Sequence, residues 1–127
     1  MTATVLTTLG KQRIVDLIDG TATESEFWVG WGTGGSSTGA TATDADIKLA
    51  AAATESFATA VISQPNATEN QFVGTLTAGS SKTVEEMILA FCSDTSNATG
   101  AIIRASHGGV ALATGDSIQY TVLLTQQ

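Results

Sequence analysis

Gly30-Trp-Gly-Thr-Gly-Gly35 satisfies the G-x-G-x-x-G spacing that lets backbone N–H groups approach a pyrophosphate. That chemistry also needs a helix opening at the third glycine, so that its N-terminus meets the phosphates. Here Ser36-Ser-Thr-Gly-Ala-Thr-Ala-Thr follows, with no apolar period and no second βα unit, so a flexible loop is the better reading. Asp44-Ala-Asp46 begins like a calcium loop, but Lys48 stands where a third oxygen ligand belongs and the turn glycine is missing. Glu85 and Glu86 are adjacent, so on a strand they point to opposite faces and cannot share a proton as a glycosidase pair would. His107 is the only histidine and has no Gly-x-Ser-x-Gly elbow beside it; next to Gly108-Gly109 it reads as a polar loop or strand-end residue. Cys92 is the only cysteine, set in the apolar run from Met87, which reads as a buried thiol and rules out an internal disulfide or a thiolate metal cluster. The sequence therefore predicts no catalytic residues, no cofactor and no metal.

Composition agrees with a contact protein rather than an enzyme. The 127 residues suffice for one domain, 1–127, with a single modest core. Charged residues make up 13%, about half the usual share, while Thr, Ser, Gly and Ala abound. A helical bundle needs charged outer faces; strands joined by small-residue loops do not. The net charge of −7 is opposite to what phosphate neutralisation requires, and Lys11 with Arg13 is the only basic cluster, so nucleic acid is not an expected partner. No apolar run approaches a membrane span, and the N-terminus lacks a basic, then apolar, signal; a soluble chain made in the cytoplasm is expected. Asn66-Ala-Thr68 and Asn97-Ala-Thr99 then read as turns rather than glycan acceptors.

The elements follow from spacing. Ile14, Leu17 and Ile18 recur at helical intervals and Gly20 follows as a C-cap, which predicts a short helix over 8–19. Its charges oppose the helix dipole, so it needs docking to persist. Residues 1–8 read as an extended N-terminal arm that orders on a partner, or as a tail. Glu26–Trp31 is a short aromatic strand, and 44–54 favours a second short helix by its alanines. Strands are predicted at Ser56–Ser63, Gln71–Ala78, Thr83–Cys92, Ala101–Ser106 and Ser117–Thr125. Val84, Met87, Ile88 and Phe91 have helical spacing behind a Thr83-x-x-Glu86 capping pattern, so pattern alone divides that segment evenly between helix and strand. The last strand alternates, with Ile118, Tyr120, Val122 and Leu124 on one face. Leu123 interrupts the polar face and is a candidate subunit contact. The fold class is mainly β, an antiparallel β-sandwich with a short N-terminal helix.

The order of motifs resembles a family of small bacteriophage virion proteins, of the capsid decoration (cement) type. The resemblance rests on Gly10-Lys11 and the helix to Gly20, Phe27-Trp-Val-Gly-Trp-Gly-Thr-Gly34, and Thr43-Asp44 opening the segment to Glu55. It continues through Gln71-Phe-Val-Gly-Thr-Leu76, Val84-Glu-Glu-Met87, Gly100 before Ile103-Arg104, and Gly109-Val-Ala-Leu with Gly115-Asp-Ser-Ile-Gln119. It implies a jelly-roll-like or other antiparallel sandwich and a strand at 84–91, although Met87-Ile88 stands where a Gly-Leu pair is common in the family. It also implies a homotrimer on the virion surface that binds and stabilises the major capsid protein shell, with a tail-fibre, baseplate or adaptor component as the runner-up. Under that reading Trp28 and Trp31 are the candidate anchors; strand alternation puts them on opposite faces, so at least one lies outside the main core unless the strand is bulged. A carbohydrate-binding module stacking sugars on Trp28, Trp31 or Tyr120 is a third reading.

Overall fold

The computed structural model describes residues 3–20, 26–33, 55–90 and 101–125. They form strands β1 (Ala3–Leu6), β2 (Trp28–Gly32), β3 (Ala58–Thr59), β4 (Val61–Asn66), β5 (Glu69–Thr77), β6 (Lys82–Ala90), β7 (Ala101–Leu112) and β8 (Ser117–Thr125), with one helix, α1 (Thr8–Asp19). The larger sheet runs β1-β7-β6-β2, extended by the two-residue β3; the smaller runs β4-β5-β8. Every pairing is antiparallel. The chain is thus mainly β, two sheets face to face in the manner of a β-sandwich.

Helix α1 covers the predicted residues and is held by its ends. The Thr7 hydroxyl accepts from the Gly10 N–H at 2.9 Å and donates to the Ile102 carbonyl at 3.1 Å, while the Thr7 N–H donates to the same carbonyl. One buried threonine therefore caps the helix and ties it to β7. At the other end Gly20 takes φ 81° and its N–H donates to the Asp16 carbonyl, a left-handed cap that a β-carbon would strain.

The two sheets meet most closely between β2 and β5. A β-carbon on Gly74 would lie 2.6 Å from Val29 Cγ2, so only glycine lets β5 approach there. Around this contact Val29, Trp31, Phe72, Leu76, Val84, Leu89 and Ile103 form the core, joined by an edge-to-face pair of Phe27 and Phe72 with centroids 5.3 Å apart. The far side of the larger sheet is buried as well. Gly30, Ile88 and Ala90 lie there, with Phe57 seated where a Gly30 side chain would be and Trp28 packed on the same cluster. Glu86 and Arg104 share that face, fully buried and paired at 3.3 Å.

Burial on both faces explains the ambiguity at residues 84–91. Residues 82–90 form a strand, and a strand covered on both sides reads as a continuous apolar run with no period of two. Three other departures have local causes. The single strand predicted at Ser56–Ser63 is two, because Ala60, whose N–H donates to the Phe27 carbonyl, passes the chain from the larger sheet to the smaller. Pro65, expected in a turn, lies within edge strand β4 beside a register shift, where its missing N–H costs nothing. The glycine-rich stretch after His107 continues β7 rather than ending it. Val84 faces Val110 and Glu86 faces Ser106, so β7 fits in two extra residues opposite Glu85 as a bulge. The extended N-terminal segment finds a strand partner within its own chain, Ala3–Leu6 lying against Ser106–Ile103. Residues 44–54, the loop after Thr33, Cys92 and the second sequon lie outside the described residues.

Candidate protein-contact surfaces

Among the described residues, those singled out for chemistry are taken up by the packing of the fold. Gly30 and Gly32 lie inside β2, and Gly30 leaves room for the Phe57 ring, so the start of the G-x-G-x-x-G pattern serves sheet packing. Glu86 is buried and committed to Arg104, while Glu85 is half-buried beside Gly109 at a break in the strand register, where simple alternation between the two faces does not hold. Among the described residues no group of three His, Cys, Asp or Glu side chains is placed to hold a metal ion.

His107 lies in a cleft of about 630 Å³ between β7 and β8. Its Nδ1 is 2.8 Å from the Gly108 carbonyl oxygen and its Nε2 is 2.9 Å from the Tyr120 hydroxyl. A carbonyl can only accept, so Nδ1 carries a proton, and Nε2 shares a hydrogen bond with the Tyr120 hydroxyl. Burial pushes that hydroxyl well above its ordinary value, so it stays protonated. Met87, Ile103, Ala105, Ile118 and Val122 form apolar walls; among the described residues that line it, only His107 and the Tyr120 phenol can ionise. The cleft offers apolar contact and a few hydrogen bonds.

A second opening, of about 360 Å³, lies between α1 and the smaller sheet, lined by Ile14, Leu17, Ile18, Ile62 and Phe72. Helix α1 was expected to dock its apolar stripe, and only part of it does. Ile14 is half-buried, whereas Leu17 and Ile18 are exposed, Ile18 to 81%. Across the groove Ile62 of β4 is exposed too, and its neighbour Val61 is 71% exposed. Large aliphatic side chains gathered at one groove are the usual mark of a protein-binding surface.

The three predicted contact residues fall in different places. Trp31 is 1% exposed and its Nε1–H donates to Glu55 at 3.3 Å, so its ring is spent inside the core. Trp28, on the opposite face as alternation requires, is half-buried against Phe57, Ile88 and Ala90. Leu123 is 54% exposed on the outer face of β8. Sequence reasoning missed the α1–β4 groove. Its signal was present in the apolar stripe of α1 and in Val61-Ile62, but nothing local said that the two would be neighbours and uncovered.

No protein-family model, curated protein or solved structure matches this chain.

Proposed function

We propose that this chain is a structural protein of a bacteriophage particle, a decoration protein that binds the major capsid protein and stabilises the shell from outside. The observation that carries this reading is the groove between α1 and β4, where Leu17, Ile18 and Ile62 face solvent together in a chain with few charges. A stabilising subunit works by area and by binding several shell subunits at once, and an apolar groove with a helical rim suits that task. The sequence resemblance supplies the particle, the jelly-roll-like form of the sandwich and the shell as partner. The groove supplies a surface with which to bind it. Sugar stacking is less favoured, because Trp31 is buried and Trp28 and Tyr120 are half-buried.

Cryo-electron microscopy of the parent particle tests the proposal. Density on the shell with α1 and β4 facing the capsid subunits is the expected result. Density on the tail favours a fibre, baseplate or adaptor role, and a particle without the chain overturns both.

A further inference from the structure

Four strands end the two sheets among the described residues: β1 and β3 in the larger, β4 and β8 in the smaller. An open sheet edge is a template for another strand, and proteins usually blunt it with shortness, proline, bulges or charge. β3 has two residues and β1 four. β4 carries Pro65 and a register shift. β8 has none of these devices. It runs nine residues without a charged side chain or proline, and pairs with β5 residue by residue from Ser117↔Thr77 to Thr125↔Glu69 without a shift. In a chain of net charge −7, an uncharged edge is the place where two copies meet with least repulsion.

The sequence of β8 is also complementary to itself. Laid antiparallel on a second copy with Thr121 against Thr121, Ile118 meets Leu124 and Tyr120 meets Val122, all on the inner face. On the outer face Leu123 meets Gln119, which covers an exposed leucine. The inner row of the added strand would continue over the cleft whose wall is Met87, Ile103 and Ala105.

From these features we infer that two copies of this chain associate edge to edge through β8, in antiparallel register about Thr121, making the smaller sheets of both copies continuous. The contact is isologous, with each copy giving and receiving the same strand. It sets a two-fold pair in place of the homotrimer that the resemblance implies, and the purified protein alone tests it.

Light scattering on the purified chain should give twice 12.9 kDa. In a Cys92→Ser background, Thr121→Cys should cross-link on mild oxidation, since directly opposed β-carbons lie about 5 Å apart. Thr125→Cys, whose two copies sit at opposite ends of the paired strands, should not. Gln119→Lys with Leu123→Lys should give a folded monomer, and so should Gln119→Glu with Leu123→Glu, while an equal mixture of the two should recover the dimer. A monomeric wild type, a trimer, or cross-linking at Thr125→Cys rather than Thr121→Cys overturns the inference.

Discussion

Glu55 holds three groups at once, and replacing it with Gln isolates the electrostatic part of that role. Its Oε1 accepts from the Gly79 N–H at 2.9 Å and from the Lys82 ammonium; its Oε2 accepts from Trp31 Nε1. Lys82 and Glu55 expose only 9% and 14% of their side chains. Burial alone would raise the Glu55 carboxyl, but the Lys82 ammonium and the Gly79 N–H outweigh it and bring the pKa from 4.5 to about 2. A folded-state value below the unfolded one stabilises the fold above pH 4.5, and that contribution is lost as pH falls toward 2. At 1.36 kcal/mol per unit the difference amounts to about 3 kcal/mol. Gln keeps an acceptor for Trp31 or Gly79 and leaves Lys82 without its counter-charge. Urea unfolding of wild type and Glu55→Gln at pH 7, 4 and 2 should then show a gap of about 3 kcal/mol that closes as the pH falls. All other carboxylates are common to both proteins, so the convergence reports this pair alone. A gap that stays constant from pH 7 to 2 would refute the assignment of the stability to the charged contact.

Gly74→Ala should destabilise by about 1–3 kcal/mol through its clash with Val29. Combined with Val29→Ala it should cost less than the sum of the single changes, a coupling that a double-mutant cycle in urea will show. Thr7→Ala removes the helix cap and one bond to Ile102, and should cost about 1–2 kcal/mol with a loss of helical circular dichroism. Ile18→Asp, on a side chain that touches little, should change the urea midpoint by less than about 0.5 kcal/mol in energy yet abolish co-sedimentation with capsid shells. Leu123→Asp should likewise spare folding and weaken self-association.

Local chemistry made some elements readable and long-range packing hid others. Helix α1 was legible because three aliphatic residues, a capping glycine and a change of composition all agree at 8–20. β8 was legible because alternation runs from Ile118 to Leu124 behind the Gly115-Asp116 turn, where Gly115 takes φ 92°. The break at Ala60 carries no glycine or proline, since what turns the chain is a hydrogen bond to Phe27. Trp31 looked like an anchor because its partner Glu55 lies 24 positions away, and no spacing rule joins them. At Thr83–Glu86 a capping pattern lost to pairing with β7 and to the two-sided burial of the residues that follow, 86–90, with tertiary packing overriding local preference.

The bond from Thr7 to Ile102 spans 95 positions and has a consequence in time as well as in stability. Helix α1 is synthesised early, yet its cap is complete only once β7 has left the ribosome. β1 waits for the same strand. Fixing both ends of so long a loop is entropically slow, so the N-terminal elements should be among the last to gain protection in a refolding experiment. Until then the apolar face of α1 has no sheet to rest on, and it stays unshielded while every strand up to β7 is made.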